Sequence, residues 1–96
     1  MNKKSIIETL KAEKPYLQKK FGVNEIALFG SFARGEEKSE SDIDFLVSLK
    51  KPSYSLLMGL YLYLEKKLNT KIDIIRKGPH VSERFLKHIS KDLINV

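Results

Sequence analysis

Apolar residues along this chain recur first at a helical period, then at a strand period, and so on in turn. In the first twenty residues Ile6, Ile7, Leu10, Tyr16, Leu17 and Phe21 follow one another at roughly helical spacing. Pro15 falls inside that stretch. Its missing N–H predicts a break or kink near Glu13–Lys14, or a second short helix opening there. Gly22 is a natural stop. Ile26–Phe29 is a short apolar run closed by Gly30 and reads as a buried strand. Residues 30–41 are small, polar and charged, a connection with one helical turn at Ser31–Gly35. From Asp42 to Leu49 the pattern alternates: Ile43, Phe45, Val47 and Leu49 are apolar, Asp42, Asp44 and Ser48 lie between them, and only Leu46 breaks the rule. This is a strand with one apolar face, and its other face begins with two carboxylates. Ser53 is a suitable N-cap for a helix running to about Leu68, with Asn69 as its end. Lys71–Arg76 is another strand, with Ile72 and Ile74 on one face and Lys71, Asp73 and Ile75 on the other. Gly78-Pro79 breaks it. Ser82 opens a last helix with Phe85, Leu86, Ile89 and Leu93 along one side.

The predicted order is α(α)–β–loop–β–α–β–α. A helix joins the second and third strands, so a parallel, right-handed crossover is expected there. A loop joins the first two, which are expected to be antiparallel. The fold class is therefore α/β (α+β): a small mixed sheet with helices packed mainly on one face, residues 1–96 forming a single domain. The 96 residues are 42% hydrophobic and 31% charged, enough apolar content for a thin core and too much for a disordered chain. Without cysteine there is no disulfide framework, no Cys-ligated zinc and no thiol nucleophile, and a reducing cytoplasm is the expected compartment. The basic N-terminus lacks the apolar stretch of a signal peptide. The longest apolar run, Leu56–Leu64, is far short of the ~18–20 residues that span a membrane. The net charge of +6 draws phosphates, but the lysines are scattered in pairs without an arginine-rich tract, as on an ordinary solvated surface.

Chemistry is concentrated in one short segment and one distant residue. Asp42 and Asp44, at i and i+2 on a strand, leave the same face with Cα atoms about 7 Å apart. Two neighbouring carboxylates resist joint ionisation, and a hard cation such as Mg²⁺ relieves them while keeping sites for phosphate oxygens. Asp73 lies on the less apolar face of the next strand. If the strands pair side by side, three carboxylates converge. Such a set can hold two ions ~3.5–4 Å apart, the arrangement used for in-line phosphoryl transfer. Gly30-Ser31 ends the first strand at a sharp turn whose N–H groups and hydroxyl suit a phosphate, and Arg34, one turn on, adds a forked donor. Each piece alone is ordinary. A Gly-Ser pair is mostly a turn, an Asp-x-Asp mostly structural, and a lone Asp73 or Arg34 mostly a surface residue.

Together, Gly30-Ser31-Phe32-Ala33-Arg34-Gly35 and Ser41-Asp42-Ile43-Asp44 have the form Gly-Ser, ten residues, Asp-x-Asp. The chain closely resembles the DNA polymerase beta-like nucleotidyltransferase superfamily, and within it the minimal nucleotidyltransferase (MNT) proteins, the MntA-like antitoxins. The resemblance spans nearly the whole chain, and no position of the signature is missing. It implies a polymerase beta palm-like fold. Asp42 and Asp44 would ligate two Mg²⁺ ions. Asp73 would ligate the catalytic ion and help deprotonate the attacking hydroxyl. Gly30 and Ser31 would hold the triphosphate of ATP, with Arg34 as a helper. It further implies transfer of AMP to a tyrosine of a partner HEPN-domain toxin, making the protein the antitoxin of a toxin–antitoxin pair.

The helix from Tyr54 to Leu68 bears on the partner independently. It is apolar around most of its circumference, more than one stripe against a small sheet requires. That excess predicts a second contact, with a partner or another copy, unless the last helix covers it. Its tyrosines read as interface or core residues rather than acceptors. His80 and His88 read as exposed. Two alternatives stay open: a non-catalytic antitoxin that masks its partner, and a transferase acting on a small molecule or an RNA end. Against the RNA end, no basic stripe is interleaved with base-stacking aromatics.

Overall fold

In the computed structural model, which describes Met1–Val96, eight elements follow in order. They are α1 (Lys3–Phe21), β1 (Val23–Phe29), α2 (Ser31–Arg34), β2 (Ile43–Leu49), α3 (Tyr54–Leu68), β3 (Ile72–Arg76), α4 (Glu83–Ser90) and β4 (Ile94–Asn95). Local capping chemistry sets most boundaries. Asn2 and Ser5 form a reciprocal capping box, Ser53 Oγ accepts from the Leu56 N–H, and Ser82 Oγ accepts from the Phe85 N–H. Gly22 ends α1 at φ 68°, and Asn69 ends α3 at φ 50°, both left-handed.

Pro15 lies inside a single helix, so neither the break nor the second short helix that the sequence allowed is present. Pro15 and Lys11, whose carbonyl the proline deprives of a partner, are both exposed, so water can serve that carbonyl. Buried Leu10 and Leu17 hold the two halves to one core. β1 starts at Val23, earlier than the apolar run suggested, with an irregularity between Val23 and Glu25. The last helix stops at Ser90 rather than reaching Leu93. The chain then adds a strand that the pattern did not indicate, because two residues are too few to show a period.

The sheet order is β3-β2-β1-β4. As expected, β1 and β2 are antiparallel and β2 and β3 parallel; β4 joins β1 antiparallel. One face carries the main core. Ile26 and Leu28 of β1, Phe45 and Val47 of β2, and Ile72 and Ile74 of β3 pack against Ile6, Leu10 and Leu17 of α1 and Leu60, Leu64 and Leu68 of α3. The Tyr63 hydroxyl donates to Glu13, which also pairs with Lys67 at 3.4 Å, tying α3 to α1. The Glu13 carboxylate pushes the Tyr63 phenol up to about 12.

α4 covers only part of the opposite face. Phe85, Leu86 and Ile89 pack there on Phe29, Leu46 and Ile75. Leu46, which broke the alternation, therefore points toward α4. Since α4 lies on that face, it does not cover α3. Most of the apolar circumference of α3 is at least half-buried against α1 and the sheet, while Tyr54, Met58 and Leu62 remain exposed at successive turns. No helix is long and apolar enough to cross a membrane.

This orientation of α3 fixes an expected contrast. Leu60→Ala, at a fully buried position, should cost about 2–5 kcal/mol of stability. Leu62→Ala, 67% exposed two residues on, should change it by less than about 0.5 kcal/mol. Urea unfolding of the two variants measures both.

Candidate active site

The part of the second face that α4 leaves open holds the residues singled out above. In the parallel register Asp44 lies directly beside Asp73. In the antiparallel register Asp44 faces Phe29, the last residue of β1. The chain turns at Gly30 into α2, so the Gly-Ser bend and the carboxylate pair share one end of the sheet. Asp42 directly precedes β2, close enough for its charge to act on Asp44. It lines an open polar hollow of about 430 Å³ with Ser39, Ser41, Thr70 and Lys71.

Gly30 has φ 80° and ψ −157°, a region essentially confined to glycine. A Cβ at that position would overlap Asp44 Oδ2 and sit 3.0 Å from its Cγ. A side chain at this bend would be strained by the backbone angle and would force the Asp44 carboxylate to move. After it, the Arg34 N–H bonds to the Gly30 carbonyl at 3.1 Å and Gly35 closes the turn at φ 71°. The N–H groups opening α2 are left to an outside acceptor. Ser31 stands at this opening, half-buried.

The three carboxylates differ in setting. Asp42 and Asp73 are exposed and Asp44 is half-buried. Burial first, then Asp73, then Asp42, pushes the Asp44 carboxyl above its usual range, with Arg34 opposing. The side chains are not drawn together as a finished metal site: no group of three His, Cys, Asp or Glu residues is placed to hold one ion jointly. The donor set nevertheless suits a hard divalent cation, because such an ion would relieve the repulsion from Asp73 and Asp42 that adds to burial in raising Asp44. Arg34 is less free than its spacing suggested. Its Nε donates to Glu36 Oε1 at 2.7 Å and its Nη1 to Asp92 Oδ2 at 3.1 Å, so a phosphate would have to compete with two carboxylates. Both histidines are exposed, as expected.

One neighbour of the site escaped the sequence reading. The Tyr61 hydroxyl, from α3, donates to Asp73 Oδ1 at 3.1 Å and accepts the Ile74 N–H at 2.8 Å. Only its place on the crossover helix before β3 hinted at that reach, and several other tyrosines and leucines of α3 shared the hint.

A four-stranded mixed sheet with a Gly-Ser turn facing strand-borne aspartates defines a nucleotidyltransferase domain. The family model described as "Polymerase beta, Nucleotidyltransferase" matches residues 11–96, and the chain belongs to that family. It is 45% identical over 94 residues to MJ1379 of Methanocaldococcus jannaschii, whose name places it among the protein adenylyltransferases; the match covers 95% of this chain and 94% of that one. A solved structure described as a minimal nucleotidyltransferase superposes with TM-score 0.83 at 26% identity, covering 100% of this chain and 97% of the other. A structure of the tri-AMPylated Shewanella oneidensis HEPN toxin in complex with MNT antitoxin shares the fold, with TM-score 0.58 at 20% identity, 98% of this chain and 67% of that one.

The raised pKa of Asp44 has a consequence for the metal-free protein. An acid whose native pKa lies above its unfolded value stabilises the fold fully below the unfolded value, ~3.9 for Asp, and loses that contribution as pH rises through the native value. At neutral pH the ionised Asp44 therefore weighs against folding. Asp44→Asn should melt at a higher temperature than the wild type at neutral pH, and the gap should close as the pH falls below ~4. Thermal melts at both pH values in a chelating buffer test this.

Proposed function

We propose that the protein transfers AMP from ATP to a hydroxyl, and that the acceptor is a tyrosine of a partner HEPN toxin, which the transfer silences. The observation that carries this reading is the shared sheet end, where Asp44 and Asp73 lie in register and Gly30 makes room for Asp44. Family membership supports the reaction class. The names of the relative from M. jannaschii and of the HEPN–MNT complex support the protein acceptor.

In the proposed reaction the acceptor oxygen forms a bond to the α-phosphorus, the bond from that phosphorus to the bridging oxygen breaks, and pyrophosphate leaves. Two Mg²⁺ ions, when bound, would neutralise the charge that gathers between the phosphates and the carboxylates. Asp42 and Asp44 would hold them, with Asp73 as a third ligand. Asp73, exposed on the edge strand, would take up the proton of the incoming hydroxyl. The free N–H groups opening α2, with Ser31, would bind the departing phosphates, and Arg34 could add its guanidinium by exchanging Asp92 or Glu36 for phosphate. The chain's main work is orientation, since phosphoryl transfer asks little covalent chemistry of a protein.

A second reading, a masking antitoxin that needs no chemistry, draws on the exposed row Tyr54, Met58 and Leu62. The same row is where either kind of antitoxin would grip a partner. One experiment separates the two. Incubated with ATP, Mg²⁺ and the HEPN partner, the wild type should add the mass of one or more AMP groups to the partner. Asp42→Asn and Asp44→Asn should each abolish the adduct and the neutralisation of toxicity. Intact-mass spectrometry and a growth assay read the two effects. Neutralisation that survives Asp44→Asn while Leu62→Lys destroys it would establish masking instead.

A further inference from the structure

Tyr61 has no part in the chemistry derived so far, yet its hydroxyl lies at the edge of the site with both sides engaged. The ring is half-buried against the main core. β3 is an edge strand, and its odd-numbered residues bond to β2, as Lys77 N–H to the Val47 carbonyl and Ile43 N–H to the Lys71 carbonyl show. The Ile74 N–H therefore faces outward, and the Tyr61 oxygen accepts it at 2.8 Å. A phenol has one proton to give. Two acceptors lie within reach: Asp73 Oδ1 at 3.1 Å and the Ile74 carbonyl at 3.4 Å. The carboxylate is nearer, and it accepts the phenol's hydrogen bond. Asp73 itself is exposed, forms none of the ion pairs, and has a side chain that would otherwise be free to rotate.

We propose that Tyr61 is a positioning residue: packed from below and fixed by a backbone donor, it anchors one oxygen of the Asp73 carboxylate, restricts the rotation of that side chain, and leaves its other oxygen free for the site. The proposal rests on the reading of Asp73 as the third carboxylate of an AMP-transfer site. Partners that orient ligating carboxylates typically contribute 10–100-fold to metal affinity or activity. The rival explanation is structural, a hydroxyl that merely caps the open edge of β3.

Tyr61→Phe keeps the ring and removes only the hydroxyl. With the HEPN partner as acceptor, its kcat should fall about 10- to 100-fold, while KM for ATP stays within about twofold. Raising Mg²⁺ should recover part of the loss. Without any acceptor, Mn²⁺ binding in the presence of a non-hydrolysable ATP analogue, followed by electron paramagnetic resonance, should weaken by about tenfold. An edge cap alone would lower the melting temperature and leave kcat and Mn²⁺ affinity at wild-type values, and that result overturns the proposal. If Tyr61→Phe is too unstable to assay, Asp73→Asn supplies the second measurement. Weakened Mn²⁺ binding in Asp73→Asn is required, since the proposal acts through that carboxylate, and unchanged binding overturns it. A wild type that transfers no AMP would sink the functional reading, whereas the Mn²⁺ measurements judge Tyr61 on their own.

Discussion

The parallel pairing of β2 with β3 is the constraint on which the rest of the molecule hangs. Phe45 and Val47 on one strand and Ile72 and Ile74 on the other must face α1 and α3 to make a core. Because strand side chains alternate, that demand sends Asp44, Leu46, Asp73 and Ile75 to the other face. A slip of one residue would bury Asp44 or Asp73 beneath α3 and expose Ile74, so the hydrophobic pattern itself enforces the register. α3 is long enough to return the chain for a parallel strand, and its buried Leu60, Leu64 and Leu68 seat it on the sheet. The adjacency of two carboxylates is thus a by-product of core packing.

That adjacency opposes stability. Asp44 sits half-buried next to Asp73 with Asp42 nearby, and only Arg34 offers relief. The relief is partial, for Arg34 is already held by Glu36 and Asp92. Gly30 adds a backbone conformation closed to other residues, adopted where the neighbouring carboxylate leaves no room for a Cβ. A sequence selected for stability alone would fill this end of the sheet with apolar residues, as it does under α4. Local rules are broken here together, as is expected where residues serve chemistry rather than the scaffold.

How much could be read beforehand follows the range of the interaction involved. Ser53, Ser82, Gly22 and Asn69 act within a turn of themselves, and each marked its helix end correctly. The strand directions followed from connection length. The carboxylate pair followed from alternation on two strands plus the crossover rule. The break that Pro15 could have caused does not occur, because Leu10 and Leu17 hold the helix to the core from both sides. β4 was invisible because its pairing with Ala27 and Leu28 is wholly tertiary. The position of α4 on the second face also depended on tertiary geometry, since an amphipathic stripe says that a face is covered but not which sheet face covers it. Arg34's ties span 58 residues to Asp92, and Tyr61 reaches Asp73 across an element boundary. Neither distance leaves a periodic trace.

The second face is divided, and the division bears on the acceptor. α4 seals Phe29, Leu46 and Ile75, but Asp42 and Asp73 stay exposed and no element of the chain roofs them. Electrostatic stabilisation of a transferring phosphoryl group is weak in a wet site and strong once water is excluded. An acceptor too small to cover the site would leave Asp73 in water during the reaction. A protein acceptor would bring its own surface as the missing wall and close the site only when its hydroxyl is in place. On the proposed reading, recognition and desolvation are then the same event. Another subunit could supply the same wall, but a small acceptor alone would not.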